Sequence, residues 1–318
     1  MPDPGIVTSY RNGFPESHHR VHAAVVRADG TLIARCGDPG RETTLRSAAK
    51  PFQADPLVAS GGLDALGLDD RVLAVICASH AGQDIHVEAV SRGLAACGLD
   101  ASALRNSPGP PEERLRHNCS GNHLGFLANS VHHGWTTEGY RFPDHPSQRA
   151  AVEAMAAHSG LDADAIPLMT DGCGVVAFAL PLRVIATMYA RLPERLPRQF
   201  SAMTAHPELV RGDGDLDTEA MRAIPGCVAK GGAEALSCIG LRDQGIGIAV
   251  RIDDGNSRAS APAAIAILGQ LLGWDEPPGG LAPLAEPVLP NTVGDLVVRL
   301  SAAVSLTPEH VTEGTTKP

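Results

Sequence analysis

Lysine is almost absent from this chain of 318 residues, which has only Lys50, Lys230 and Lys317. Arginine supplies nearly all of the other positive charge, and it can replace lysine in most surface roles. It cannot replace a lysine that has to lose its proton, because a guanidinium stays charged whereas a buried ammonium deprotonates readily. Lys317 is next to the last residue, so the two internal lysines are the first candidates for chemistry.

Other features that the sequence lacks argue against several classes of protein. No basic stretch occurs and the formal net charge is −10, which argues against nucleic acid and anionic membranes as partners. No apolar run approaches the roughly 18 residues of a membrane span, and the N-terminal residues lack the pattern of a signal peptide. The seven cysteines are odd in number and scattered, which fits reduced thiols or a metal site better than a disulfide framework. We therefore expect a cytoplasmic protein.

Hairpin patterns occur near both ends of the chain. Val21–Arg27 and Thr31–Arg35 form one, and Glu234–Leu241 and Ile246–Ile252 form another. Helical patterns dominate between them. This order predicts an α/β (α+β) fold in which helices cover an antiparallel sheet. We expect a single domain over residues 1–318, with a helical sub-domain inserted between the N-terminal and C-terminal sheet hairpins.

Hydrophobic patterns predict the individual elements between the hairpins. Ser47–Ala59, Ile85–Ala96 and Ala177–Ala190 are predicted to be helices, and Ala259–Leu272 a long one after the second hairpin. Leu73–Cys77 is short, apolar and rich in β-branched residues, so we expect a buried strand there. Aromatic residues make up only 3% of the chain, so the core has to rely on Ala, Val and Leu.

Lys50 closes a Ser-x-x-Lys motif that begins at Ser47. This spacing places a hydroxyl and an amine one helical turn apart, which suits direct proton transfer. The amine has to be neutral, and burial or a second cation favours that form. Lys230, in a Lys-x-Gly motif ahead of a strand, is a candidate for that cation. Pro51 disfavours helical torsions at Lys50, so the motif should lie in a first turn or at a kink.

Neither motif is decisive alone, since a lysine can also cap a helix or pair with a buried acid. Ser-x-x-Lys, Ser120-Gly121-Asn122 and Lys-x-Gly, in this order, are similar to the motifs of penicillin-recognising serine enzymes. One alternative is therefore a penicilloyl-serine-type hydrolase or esterase. A non-enzymatic alternative is a metal or redox sensor based on Cys119 and Cys173.

Five segments taken together resemble the thermolabile, zinc-associated L-asparaginases of the Rhizobium type, the asparaginase II family. They are RSAAKPFQ, CASHAGQDIH, HNCSGNHLGF, TDGCGVVAF and AKGGAEAL, followed by PNTVGDLVVRL. The resemblance runs over nearly the whole chain. It implies a fold like that of serine β-lactamases and glutaminases, a homodimer, and an L-asparagine amidohydrolase that forms aspartate and ammonia by covalent catalysis.

The resemblance also implies two Ser–Lys tandems, Ser47 with Lys50 and Ser79 with Lys230. In this interpretation Ser47 attacks the amide carbon while neutral Lys50 takes its proton and later gives it to the leaving ammonia. Ser79, held by Lys230, would position the water that releases the aspartyl ester. Backbone N–H groups near both serines would form the oxyanion hole.

An amino-acid substrate needs an anion for its ammonium group and a cation for its carboxylate. Asp171 and Arg46 are the predicted pair, although an Asx-turn is an equally good interpretation of Asp171. We also expect His80, Asn118 and His123 to line the substrate pocket.

The metal ligands of the family correspond to Cys119 and Cys173, with a lysine between them. This chain has Asn122 at the lysine position, and an amide oxygen is a poor zinc ligand beside two thiolates. We therefore expect zinc to bind weakly and not to be required for the chemistry. The alternative is that both cysteines are small buried hydrophobic residues. A second departure is Ala235, where the family usually has glycine.

Overall fold

The computed structural model describes residues 4–309. A sheet of nine strands forms its centre, and every pair of neighbouring strands is antiparallel. The strands are β1 (Gly5–Arg11), β2 (Phe14–Arg27), β3 (Leu32–Cys36), β4 (Glu42–Thr44), β5 (Leu168–Thr170), β6 (Val176–Pro181), β7 (Cys227–Gly232), β8 (Leu236–Leu241), β9 (Ile246–Ile252), β10 (Val288–Pro290), β11 (Leu296–Ala303) and β12 (Thr307–Pro308). The order in the sheet is β10-β11-β1-β2-β9-β8-β7, with β3 on β2 and β12 on β3, while β4, β6 and β5 form a second, small sheet.

Helices account for most of the chain between β4 and β7. They are α1 (Lys50–Gln53), α2 (Asp55–Ala59), α3 (Gly62–Ala65), α4 (Asp70–Ile76), α5 (Asp84–Ala96), α6 (Pro111–Arg116), α7 (Ser120–His132), α8 (Pro146–Ser159), α9 (Leu182–Arg195), α10 (Pro197–Ala205), α11 (Pro207–Val210) and α12 (Leu216–Ala223), with α13 (Ser260–Leu272) and α14 (Ala282–Ala285) after the second hairpin. The predicted antiparallel sheet covered by helices is therefore confirmed. Among residues 4–309, no helix is long and apolar enough to cross a membrane.

Small residues let the helical layer approach the sheet closely. Helix α9 packs across the central strands, and a Cβ at Gly247 in β9 would lie only 1.9 Å from the carbonyl oxygen of Ala186 in α9. Any side chain at this position would push the helix off the sheet. The scarcity of aromatic residues is consistent with this close packing.

The predicted strand at Leu73–Cys77 is wrong, because these residues belong to helix α4 and its C-terminus. The helix begins after Asp69, whose side chain accepts a hydrogen bond from the backbone N–H of Val72 at 3.0 Å. From Val72 to Ile76 every residue is buried, so the sequence shows none of the polar alternation that identifies a helix.

The predicted helix at Ala177–Ala190 is wrong in its first part. Val176–Pro181 is the central strand of the small sheet, and helix α9 begins only at Leu182. Pro181 separates the two elements in an extended conformation, immediately before the helix. The boundary between strand and helix cannot be recognised in the sequence, because both elements are buried and form one continuous apolar run.

Candidate active site

A strained turn carries Ser47. Arg46 has φ +47°, in the left-handed region that residues with a side chain seldom adopt. A short 3₁₀ helix, Arg46–Ala49, then runs directly into α1, whose first residue is Lys50 and whose second is Pro51. The Ser-x-x-Lys motif therefore lies at the start of a helix, as the proline predicted.

Strand β7 lies directly against this turn. A Cβ at Gly232 would be 2.4 Å from the carbonyl oxygen of Leu45, so only glycine allows the strand so close. The last residue of the Lys-x-Gly motif thus brings Lys230, two residues earlier in β7, to the side of the turn that carries Ser47.

Both serines face one pocket of about 440 Å³. It is lined by polar and charged side chains from separate parts of the chain, namely Ser47, Ser79, Asn118, Arg211, Asp215, Asp217, Glu234, Ser237, Ser257 and Ser260. A second pocket of about 360 Å³, lined by His80 among others, shares Asn118, Arg211 and Asp215 with the first. The two form one polar cleft large enough for a small polar molecule.

Lys50 is buried and contacts Ser79. Its Nζ donates to the Ala78 carbonyl at 2.6 Å and to Ser79 Oγ at 3.0 Å, with the Asn118 carbonyl and Cys119 Sγ each at 3.4 Å. The backbone N–H of Lys50 donates to the Ser47 carbonyl, but within the described chain no hydrogen bond joins Lys50 Nζ to the Ser47 hydroxyl. The expected pairing of Lys50 with Ser47 is thus not seen, because the two carbonyls and the Ser79 hydroxyl draw the ammonium towards the ends of α4 and α6.

The two serines differ in accessibility and in backbone bonding. Ser79 is only 2% exposed, and its N–H donates to the Val210 carbonyl at 3.0 Å. Ser47 is half-buried, and over residues 4–309 neither its hydroxyl nor its N–H has a hydrogen-bond partner. The oxyanion hole expected from both serines can therefore use the N–H of Ser47 but not that of Ser79.

Lys230 is fully buried and contacts an acid instead of Ser79. Its Nζ donates to the Gly231 carbonyl at 2.6 Å and lies 3.7 Å from Asp217 Oδ2. Burial lowers the pKa of Lys230 to about 8, against the opposing effect of the Asp217 carboxylate. Among the described residues no hydrogen bond joins Lys230 to Ser79, and the amine of Lys230 contacts Gly231 and Asp217 instead.

Sequence reasoning missed Asp217. It lies in the first turn of α12, where acids are ordinary in any helix, so nothing in the sequence distinguished it. Its carboxylate accepts the N–H of Gly231 at 2.7 Å and borders the large pocket. Burial raises its pKa, although Lys230 and this hydrogen bond act in the opposite direction.

Arg46 and Asp171 bind each other. Arg46 Nε donates to Asp171 Oδ2 at 2.6 Å, and this bond is the main reason that the pKa of Arg46 is raised. Asp171 Oδ1 also accepts the N–H of Cys173 at 3.2 Å, which is the Asx-turn of the alternative interpretation. Arg46 and Asp171 line the small cavity next to the large pocket but not the large pocket itself. A substrate that binds both side chains would have to break the bond between them.

The two expected pocket histidines are buried and neutral. His80 accepts the N–H of Gly82 at 3.1 Å through Nδ1 and contacts Ser120 Oγ at 2.8 Å through Nε2. His123 contacts the Tyr140 hydroxyl at 2.6 Å through Nδ1, and its Nε2 has no partner among the described residues. Burial is the main cause that lowers both pKa values to about 3. With both ring nitrogens engaged, His80 has none free to accept a serine proton.

Cys119 and Cys173 meet beside a cavity of about 10 Å³, near the smallest volume that holds one water molecule. The interaction between the two thiols is the main cause that lowers the pKa of Cys119 and raises that of Cys173. Asn122 borders the same cavity and donates to Gln53 Oε1 at 3.2 Å, while its own Oδ1 is buried with no partner among residues 4–309.

These donors do not fit a zinc ion well. Protein zinc sites use three or four nitrogen, sulfur or carboxylate ligands, whereas this cavity offers two sulfurs and one amide oxygen. Over residues 4–309 no group of three or more His, Cys, Asp or Glu side chains could hold a metal. The ammonium of Lys50, 3.4 Å from Cys119 Sγ, is also unfavourable for a cation.

Two serines line the large pocket, and two buried lysines lie close to its wall. Hydroxyl and amine groups of this kind can support acyl transfer. A model of one family, described as L-asparaginase II, matches residues 7–302. The chain therefore belongs to the L-asparaginase II family, and this membership supports a hydrolase that acts on amides. A comparison with curated proteins gives no match.

Solved structures resemble this one only distantly. Mglu in its native form is 17% identical with a TM-score of 0.46, over 80% of this chain and 64% of that chain. Mglu in its tris and glutamate form is 18% identical with a TM-score of 0.48, over 85% and 63%. A β-lactamase from Mycobacterium bovis is 13% identical with a TM-score of 0.34, over 73% and 86%. The chain spans less than two thirds of the length of these Mglu chains. TM-scores this low give no basis for inferring a shared function.

Proposed function

We propose that the protein hydrolyses the side-chain amide of L-asparagine to aspartate and ammonia through an acyl-enzyme. The observation that carries the proposal is the contact of 3.0 Å between Lys50 Nζ and Ser79 Oγ at a pocket that Ser47 also lines. Family membership supports amide hydrolysis, and the pocket of about 440 Å³ suits a small substrate.

Ser47 is the better nucleophile of the two serines. Its hydroxyl is accessible and unbonded in the described chain, whereas Ser79 is buried. The strained backbone at Arg46 presents Ser47 as a sharp turn presents the nucleophile of other hydrolases. Its free N–H lies next to the attacking oxygen, where an oxyanion donor is needed. Attack therefore forms the ester bond on Ser47.

Lys50 supplies the proton transfers. In its neutral form the amine takes the proton of Ser47 as the hydroxyl attacks the amide carbon, and it then gives this proton to the nitrogen that leaves as ammonia. Ser47 and Lys50 border the same small cavity, and hydrogen bonds of a catalytic base often shorten only when substrate is bound. Ser79, held by Lys50, positions the water that hydrolyses the ester.

Ser47→Ala and Ser79→Ala test this assignment. Ammonia release should be measured with asparagine, glutamine and simple amides, and the protein should be quenched during turnover for peptide mass spectrometry. We expect asparagine to be the best substrate and an aspartyl adduct on the peptide that contains Ser47, absent in Ser47→Ala. An adduct on Ser79 would reverse the roles of the two serines, and the absence of turnover with every amide would refute the function.

A β-lactam provides the control for the alternative activity. A stable acyl adduct formed with penicillin, together with no ammonia release from asparagine, would favour a penicilloyl-serine-type hydrolase. We also propose that the chain is a homodimer without a nucleic-acid partner, as the resemblance and the charge implied. Light scattering of the purified protein tests the first statement, and a DNA or RNA gel-shift assay the second.

A further inference from the structure

Lys230 and Asp217 form a buried pair, and both side chains bind the backbone of Gly231. Lys230 Nζ donates to the carbonyl of Gly231 at 2.6 Å, while Asp217 Oδ2 accepts the N–H of the same residue at 2.7 Å. The two charged atoms are 3.7 Å apart, and the side chains are 0% and 6% exposed. The backbone of Gly231 in β7 therefore links the ammonium of Lys230 to the carboxylate of Asp217 in α12.

Asp217 also borders the large pocket, whereas Lys230 lies behind it. Strand residues Gly231 and Gly232, adjacent to Lys230, form part of the same pocket wall. A positive charge on Lys230 therefore lies next to the wall of the pocket, and a cation beside a pocket favours the negative charge that develops during acyl transfer.

Several other groups act on the Lys230 ammonium, and together they oppose its charge. Lys50 and Arg211 repel it, while Asp215 attracts it more weakly than Asp217 does. The remaining titratable neighbours of the pair are buried thiols and a phenol that stay neutral, namely Cys77 and Cys238 near Lys230 and Cys227 and Tyr189 near Asp217. Asp217 is thus the main group that favours the charged form of Lys230 against burial and two cations.

We propose that Asp217 is a positioning residue that keeps Lys230 protonated at neutral pH, so that Lys230 serves as the fixed cation of the active site. This inference rests on the proposed amide hydrolysis. The pKa of Lys230, about 8, is lower than that of an ordinary lysine but still above neutrality. The charge is therefore present below pH 8 and lost as the pH rises through that value, so activity should fall on the alkaline side.

The scarcity of lysine makes a direct measurement possible. Labelling the full chain with [ε-¹³C]lysine gives three signals, since the chain has only Lys50, Lys230 and Lys317. Lys→Arg substitutions at the three positions assign them. In Asp217→Asn we expect the titration midpoint of Lys230 to fall by about one unit or more, the size that an opposite charge at this distance commonly produces. Asp215→Asn, its more exposed neighbour, should cause a smaller shift.

The pH profile of kcat/KM for asparagine should shift together with the titration midpoint of the Lys230 ¹³C signal. In Asp217→Asn its alkaline limb should shift to lower pH by the same amount, and Asp217→Glu should restore it. If Asp217 had only a structural role, Asp217→Asn would lower the melting temperature but leave the alkaline limb of the kcat/KM profile unchanged. The inference is overturned if the Lys230 midpoint is unchanged in a folded Asp217→Asn, or if the wild-type limb does not follow the Lys230 titration.

The two measurements separate this inference from the proposed function. If no amide is hydrolysed, the function fails while the ¹³C titration still decides whether Asp217 holds the charge of Lys230. If Asp217→Asn does not fold, the wild-type titration decides, because a Lys230 midpoint below neutrality in the folded chain would leave the amine uncharged at neutral pH and would contradict the proposal.

Discussion

The substitution Lys50→Arg tests whether Lys50 has to lose its proton during the reaction or only has to carry a positive charge. The guanidinium keeps the positive charge and can still donate to the carbonyl of Ala78, which lies 2.6 Å from Nζ. It cannot accept a proton from a serine at neutral pH. Loss of a general base lowers the rate by about 10²–10⁴. We therefore expect kcat to fall by at least about a hundredfold, with a much smaller change in KM.

The larger side chain also has to fit a site that is only 3% exposed. Overpacking of this kind costs about 1–3 kcal/mol, and each kcal/mol lowers the melting temperature of a domain of this size by about 2–4 °C. Such a variant should still be folded at assay temperature. Circular dichroism and a thermal melt verify this before kinetics are interpreted.

Ammonia release at saturating asparagine is the assay, with Lys317→Arg as the matched control for the same chemical change. The control should keep wild-type kcat. If folded Lys50→Arg keeps more than about a tenth of wild-type kcat, well short of the hundredfold loss, Lys50 is not the base. The proton would then need another acceptor, and His123 Nε2, buried and without a partner in the described chain, is the first to test.

Two further predictions concern the departures from the family pattern. Ala235 is buried with φ +57°, so Ala235→Gly should relieve about 1 kcal/mol of backbone strain and raise the melting temperature by a few degrees; a lower melting temperature would contradict this. Zinc should bind weakly, because the cavity offers only two sulfurs and an amide oxygen, and Asn122→Lys should raise the affinity measured by calorimetry. Turnover should survive chelation, and a full loss restored by zinc alone would refute that expectation.

Local patterns in the sequence predicted much of the fold. Both hairpins form where turn residues separate β-rich runs, and they pair within the main sheet as β2 with β3 and β8 with β9. Helices with one polar face were also predicted closely, such as Ile85–Ala96, which is α5 from Asp84. Prediction failed for α4 and β6, because a fully buried element shows no alternation of polar and apolar residues. A buried helix and a buried strand then have the same composition.

The site was predicted in its members but not in its contacts. The scarcity of lysine identified Lys50 and Lys230, and the family motifs added Ser47 and Ser79. Which atoms meet depends on long-range packing, because Lys50 contacts a hydroxyl 29 residues away in the chain. Asp217 is 13 residues before Lys230, in a different element, and only the packing of α12 on β7 brings the two together.

The environments of the two lysines imply different roles, and arginine substitution can distinguish them. Lys50 has no carboxylate within ion-pair distance among the described residues; it is held by two carbonyls, a hydroxyl and the Cys119 sulfur. Lys230 instead faces the buried carboxylate of Asp217.

A base has to give up its charge, whereas a fixed cation has to keep it. Lys230→Arg should therefore remove the alkaline limb of the kcat/KM profile that Lys230 produces near its pKa of about 8, because arginine stays charged. Where this variant is folded, its kcat at neutral pH should exceed that of Lys50→Arg by about tenfold or more. Equal losses in both variants, with the alkaline limb unchanged in Lys230→Arg, would show that Lys230 also transfers a proton and is not the fixed cation.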